Sequence, residues 1–373
     1  MNRRDMLKTA GATMIASQMP QAANAATANW DRAKLDRCAK VMETWVGDGR
    51  VQGASILVTQ GPGRTFARNF GTATGTDPVF LLASITKPMT AAAVMTLVDA
   101  GKLSLDDKVA KFFPAFTGAG REAITVRHCL THSSGLPDML PDDEMLREKH
   151  APLTRYRDGA LKAPLKFAPG TGYSYSSMGI LLASYIAEQV SGTPFPQLME
   201  EKIYKPLGMG KTTLGLRGRP KAGTVPSQPA PAMTEAGKLS WKDWNWNSDY
   251  WRDLGAPWGG ALGPASDIAR FYTEFLERRG TILKPATEQL MITNQSPPGV
   301  TPAGLGFGLL PRVGSPACGP ATFGHNGSTG TLSWADPGTG TICIVLTSLY
   351  AASVRPHPTR LVSDLVAEAV AKA

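Results

Sequence analysis

Strand-forming runs stand at both ends of this chain, and its long middle has none of comparable quality. Near the N-terminus, Ala54 to Thr59 and Arg64 to Phe70 flank the turn Gly61-Pro62-Gly63. Near the C-terminus come Phe307 to Leu310, Thr331 to Trp334 and Thr341 to Ser348. The last two are joined by Asp336-Pro337-Gly338-Thr339-Gly340, a hairpin loop. From residue 102 to about 290 the chain reads as helical patches joined by Gly/Pro/Asp loops. Such an order predicts an α/β fold in which both chain ends complete one sheet, with a mostly helical domain inserted between them. The 373 residues, 42% of them hydrophobic, suffice for a substantial core. The expected partition is 30–83 plus 295–373 for the α/β part and 84–294 for the helical part. A cleft at their junction is the usual place for a site.

Helical periodicity supports this layout. Leu35, Cys38, Met42 and Trp45 recur at three- and four-residue intervals and are closed by Gly47. Further helices are expected over 84–101, 125–131, 179–190, 264–279 and 358–371. The first of these opens on Ser84-Ile85-Thr86-Lys87, which sets a hydroxyl and an amine one turn apart on one face.

The N-terminus reads as an address. Asn2-Arg3-Arg4-Asp5-Met6-Leu7-Lys8 resembles a twin-arginine export signal, and Ala23-Asn24-Ala25 offers a cleavage site. The run from Thr9 to Met19 is too short and too weakly apolar for a stable membrane anchor. Cleavage after residue 25 removes three basic residues and one acidic residue, taking the net charge from +9 to +7. The expected partner is the twin-arginine export machinery, and the expected location is periplasmic or secreted. The charge is spread out, with no basic tract interleaved with aromatics, so no nucleic-acid partner is expected. No Gly-rich loop joins a strand to a helix, so no cofactor is expected. His128 and His132 stand four apart, but a turn begins at His132 and no His-Glu-x-x-His pattern is present. They are read as structural, and no metal is expected. Among four cysteines, Cys38 and Cys129 sit in apolar helical patterns, while Cys318 and Cys343 are a candidate disulfide that spacing does not decide.

Three short segments carry chemistry: Ser84-Ile85-Thr86-Lys87, Tyr175-Ser176-Ser177 and His325-Asn326-Gly327. In these segments the chain resembles the serine β-lactamase-related hydrolases, in the branch of class C β-lactamases, D-alanyl carboxypeptidases and lactamase-like esterases. Ser-x-x-Lys is intact, Tyr-x-Asn is altered, and Lys/His-x-Gly is present in its His form, all in the family's order. Three flanking stretches also look familiar: Leu130 to Pro137, Phe167-Ala168-Pro169-Gly170, and Gly259-Gly260 leading to Ser266 through Phe271. The resemblance spans roughly residues 35 to 370. It implies a β-lactamase/transpeptidase-like fold, with a mainly antiparallel sheet flanked by helices.

The resemblance also implies roles that acyl transfer requires independently. Ser84 would attack an acyl carbonyl to form an acyl-enzyme, activated by Lys87 and Tyr175, with the identity of the formal base left open. His325 would donate to Tyr175 or, when protonated, to a substrate carboxylate. The backbone N–H groups of Ser84 and Ser328 would form the oxyanion hole. Gly327 would let substrate approach a strand edge closely.

One departure steers the choice of substrate. Ser177 stands where the family has Asn, and a short hydroxyl does not offer an amide's paired donor and acceptor. Asn326 is a candidate replacement for that amide. Trp241, Trp244, Trp246, Tyr250, Trp251 and Trp258 cluster before Gly259-Gly260, either as a core patch or, through Trp258 and its neighbours, as the wall of an apolar acyl pocket. From sequence the leading expectation is a serine hydrolase acting on carboxylic esters with a hydrophobic acyl or alcohol group. The rivals are an amide hydrolase of β-lactamase, D-aminopeptidase or D,D-carboxypeptidase type and an inactive cell-wall-binding protein.

Overall fold

The computed structural model of the chain describes residues 30–61, 63–228 and 243–371. The expected export leader and Trp241 lie outside them. Among the described residues nine strands form two sheets: β1 Gly53–Gln60, β2 Thr65–Gly71, β3 Phe80–Leu81, β4 Thr213–Leu214, β5 Ala261–Gly263, β6 Gly308–Leu309, β7 Phe323–Gly327, β8 Thr331–Asp336 and β9 Thr341–Thr347. The larger sheet runs β2-β1-β9-β8-β7-β6, with every neighbouring pair antiparallel. Both chain ends therefore meet at its centre, where Ile56 lies opposite Val345 and Val58 opposite Cys343. The fold is the expected α/β, β-lactamase/transpeptidase-like architecture, antiparallel sheets flanked by helices with a helical insertion.

The helices are α1 Arg32–Gly47, α2 Thr86–Asp99, α3 Val126–Leu130, α4 Asp143–Glu148, α5 Leu153–Ala160, α6 Ser177–Ser191, α7 Phe195–Met199, α8 Asp249–Leu254, α9 Ala265–Glu277, α10 Pro285–Met291 and α11 Pro358–Val370. Strand periodicity sorts the sheet's side chains between two cores. Ala54, Ile56, Val58, Trp334, Cys343 and Val345 join Leu35, Cys38 and Met42 of α1 and Val362 and Val366 of α11. Ile342, Ile344 and Leu346 face the opposite way, into the main core with Ile268, Phe271 and Phe275 of α9. Both faces are covered, so every residue of β8 and β9 is buried. Each large aliphatic side chain so buried contributes about 1.5–3 kcal/mol. Helix α9, within the stretch assigned from sequence to the helical insertion, lies against β1, β8 and β9.

All four cysteines are free and buried, so the candidate Cys318–Cys343 disulfide is not formed. Cys343 points from β9 into the core beneath α1 and α11. Cys318 borders the same core and accepts a hydrogen bond from the Ser315 amide, 3.3 Å away.

The insertion is built around α2 and α6, which pack on one another. Ser176 caps α6 by accepting from the Gly179 amide at 2.9 Å, and Gly192 ends it with φ +68°. One buried carboxyl pair fastens the end of α9. Glu274 accepts from the Thr281 and Ile282 amides, and Glu288 accepts from the Gly280 amide. Burial, followed by the hydrogen bond that Glu288 donates to Glu274 and by charge repulsion between the two, pushes Glu288 up to about 8. A carboxyl whose folded pKa is raised holds an extra proton in the native state, so its contribution is full below the ordinary carboxylate range and lost as pH rises through about 8. Melting temperatures of wild type and Glu288→Gln, compared at acid and alkaline pH, should show wild type losing more stability than the variant on the alkaline side. Parallel curves would refute a shared proton.

Candidate active site

A short sheet delivers Ser84 to the junction. β3 pairs with β5, and the Leu82 amide extends that ladder by donating to Ala261 O at 2.8 Å. Residues 83–85 then make a tight 3-10 turn that runs directly into α2. Ala83, immediately before the serine, has φ +48°, a left-handed conformation costing a non-glycine residue of order 1–3 kcal/mol. Three threonine hydroxyls hold the turn in place by donating to successive carbonyls: Thr329 to Leu81 at 2.8 Å, Thr331 to Leu82 at 2.8 Å and Thr86 to Ala83 at 2.6 Å.

Gly327 serves the same turn. A Cβ there would stand 2.1 Å from Thr331 Oγ1 and 2.6 Å from Leu82 O. The missing Cβ leaves room for the chain's own Leu82 carbonyl, so that β7 closes on the segment carrying Ser84.

Lys87 is fully buried. Its Nζ donates to Ser84 Oγ at 3.1 Å and to Trp258 O at 2.8 Å. Burial lowers its pKa to about 7, with Asp138 pulling the other way. A neutral amine is thus available at physiological pH within reach of the serine proton. The rate of any reaction using that amine as a base should rise with pH through a midpoint near 7 and then level off. A pH profile of kcat/KM checks this, and a flat profile between pH 5 and 9 would exclude Lys87 as the base.

Tyr175 completes the cluster. Its ring centroid is 4.6 Å from Lys87 Nζ, and its hydroxyl interacts with Ser84. Burial drives the phenol pKa far above its ordinary value, so the group is held protonated. His132 packs against the same ring at 4.7 Å and accepts from the Ser176 amide at 3.1 Å, which fixes the segment carrying Tyr175.

His325 lies 6.0 Å from Tyr175, ring to ring. Burial, with the Lys87 charge as the next cause, lowers its pKa to about 3. A cationic His325 gripping a substrate carboxylate is therefore corrected to a neutral imidazole. Its Nδ1 is 2.8 Å from Asn326 O and must donate, because a carbonyl only accepts. Nε2 is then an acceptor. Asn326 itself is exposed on β7 and does not line the cavity at Ser84, so the amide-replacement role finds no support there.

Ser84 opens into a cavity of about 190 Å³. Tyr175, Ser177 and Ser328 line it, with Trp246, Trp251 and Trp258 as aromatic walls. Trp258 thus acts twice, through its ring and through the carbonyl that holds Lys87. Trp244 is buried elsewhere.

Two charged residues at this cavity were missed from sequence. Asp138 follows the Leu130–Pro137 stretch directly, and its Oδ1 accepts from both the amide and the hydroxyl of Ser177, at 3.1 and 2.6 Å. Arg147 stacks 4.3 Å over Trp251 and pairs with Asp143 at 2.9 Å. Among the described residues no group of three or more metal-ligating side chains occurs.

Comparison with known proteins places this geometry. The chain is 29% identical over 180 residues to penicillin-binding protein 4* of Bacillus subtilis, covering 45% of this chain and 39% of that one. It is 32% identical over 148 residues to esterase EstB of Burkholderia gladioli, covering 36% and 38%. It is 28% identical over 297 residues to a putative D-alanyl-D-alanine carboxypeptidase of Escherichia coli, covering 70% and 67%. The first two matches thus span well under half of those relatives. Among solved structures, the hydrolase EstCE1 superposes with a TM-score of 0.72 at 21% identity, over 92% of this chain and 99% of that one. The family model described as Beta-lactamase matches residues 33–366, nearly the whole described chain. The chain belongs to the beta-lactamase family of serine hydrolases, which takes in esterase-, amidase- and β-lactamase-like enzymes.

Proposed function

We propose that the chain is an acyl-enzyme hydrolase whose preferred bond is an amide, reversing the ester preference drawn from Ser177. Ser84 attacks the acyl carbonyl and passes its proton to neutral Lys87. The backbone N–H groups of Ser84 and Ser328 receive the oxyanion. Tyr175 gives its proton to the departing nitrogen and regains one from Lys87, while neutral His325 packs beside its ring at 6.0 Å. Water then enters by the reverse path and releases the acid.

The observation that carries the amide reading is the Tyr175 hydroxyl seated in hydrogen-bond contact with Ser84, where it can hand a proton to a departing nitrogen. An amine leaves a tetrahedral intermediate only when protonated, whereas an aryl alcohol departs without that help. The likeness to a putative D-alanyl-D-alanine carboxypeptidase over 70% of the chain supports the same reading. Ser177 no longer argues against it, because with Asp138 it forms a polar wall of its own. Ester hydrolysis is the second reading, favoured by the tryptophan-lined cavity and the likeness to EstB.

Measuring kcat/KM on a p-nitroanilide and a p-nitrophenyl ester of one acyl group, for wild type and Tyr175→Phe, tests the proposal. The variant should lose about 10²- to 10⁴-fold on the anilide and far less on the ester. Turnover of the ester with none of the anilide by wild type would overturn the amide reading.

Export is part of the proposal. The paired arginines Arg3 and Arg4 direct the folded chain out of the cytoplasm, and no helix among the described residues is long and apolar enough to cross a membrane. Exchanging both arginines for lysine should leave the protein in the cytoplasmic fraction; unchanged periplasmic recovery would refute this route.

A further inference from the structure

We infer that Asp138 is a specificity residue of the acyl pocket, drawing in acyl groups that carry a protonated amine beside the scissile carbonyl. The inference rests on the reading of Ser84 as the acylated residue and is independent of whether the bond cleaved is an ester or an amide.

The placement of Asp138 follows from the fold. It sits in the cavity wall with Ser84, Tyr175 and Ser177. One carboxylate oxygen, Oδ1, is held by the amide and the hydroxyl of Ser177, the first residue of the 15-residue helix α6. The helix N-terminus thus fixes the carboxylate by its free N–H and its dipole. Both contacts fall on Oδ1, and Oδ2 is the oxygen left to meet a ligand. The serine at 177 has a reason in this arrangement: its short hydroxyl reaches the acid, and a longer amide would stand where the acid stands.

The surrounding charges favour a cation at this spot. Arg147 also lines the cavity, but its charge is matched by Asp143 at 2.9 Å. Asp138 and Arg147 are the charged side chains that line the cavity, one of each sign, and Arg147 pairs with Asp143 rather than with Asp138. Lys87 is fully buried beside Ser84 and does not line the cavity, and burial lowers its pKa to about 7, so its repulsion of an incoming ammonium is already reduced at that pH. The cavity of about 190 Å³ is below the 300–1,000 Å³ range of drug-sized ligand sites. It fits one small acyl unit, and the rings of Trp246, Trp251 and Trp258 suit an apolar or aromatic side chain on that unit. An α-amino acyl group with such a side chain meets both demands.

The test uses two p-nitrophenyl esters of nearly equal shape, one of phenylalanine and one of 3-phenylpropionic acid, at about pH 7, where an α-amine is largely protonated. Both enantiomers of the first are measured. Wild type should prefer one enantiomer of the amino ester over the deamino ester by about 30-fold or more in kcat/KM. In Asp138→Asn this ratio should collapse toward unity, and in Asp138→Glu it should partly return. The ratio cancels any change at Lys87, which both substrates share. A wild-type ratio near one overturns the inference without any variant, and so does an undiminished ratio in Asp138→Asn. Failure of both esters to turn over would instead strike the Ser84 acylation reading, and cleavage of amino esters without amino anilides would strike only the amide reading.

Discussion

Exchanging Lys87 for methionine is expected to lower kcat/KM on an activated ester by about 10²- to 10⁴-fold, the range for loss of a positioned base. Methionine is close to lysine in length and carries no charge, so the fully buried site should receive it without the desolvation that Lys87 bears. What is lost is the amine 3.1 Å from Ser84 Oγ. The Trp258 carbonyl also loses its donor, at a cost of about 1–3 kcal/mol, so a modest drop in melting temperature should accompany the loss of rate. A steady-state assay with a melting curve separates the two effects. Retained activity in a folded Lys87→Met enzyme would move the role of base to Tyr175.

A methyl group at Gly327 should be nearly as damaging, though by a different route. The added carbon of Gly327→Ala would overlap Thr331 Oγ1 and the Leu82 carbonyl, at 2.1 and 2.6 Å. Thr331 holds that same carbonyl at 2.8 Å, so the clash falls on the bond that fixes the turn before Ser84. Overpacking of this kind costs about 3 kcal/mol, and a displacement of the nucleophile by about 1 Å costs about 100-fold in rate. Loss of both stability and kcat is the expected result. A variant of normal stability whose KM alone rises would return Gly327 to the role expected from sequence, admitting substrate.

Legibility from sequence followed the range of the contacts. Ser84 and Lys87 lie one helical turn apart, so their meeting can be read from spacing, and the β1 and β9 runs announce themselves by strand-forming side chains. The motif order carried Tyr175 and His325. The protonation state of His325 was not legible, because it depends on burial by distant segments and on the charge of Lys87. The Trp258 carbonyl that orients Lys87 lies 171 residues away, and no side-chain pattern marks a backbone acceptor. Asp138 is separated from Ser177 by 39 residues, and their pairing exists only once α6 is docked. β3, β4 and β5 are two or three residues long, too short to show a period, and β7 reads Phe-Gly-His-Asn-Gly, a poor strand former held by its neighbours.

On the proposed mechanism Ser84 becomes covalently acylated with help from Lys87. Labelling with a fluorophosphonate, which phosphonylates an activated serine with loss of fluoride, tests it most directly when followed by intact mass and peptide mapping. A single adduct is predicted, on the peptide carrying Ser84, absent from Ser84→Ala and formed more slowly in Lys87→Met. An active enzyme that takes no label, or takes it on a different serine such as Ser177, would contradict the account.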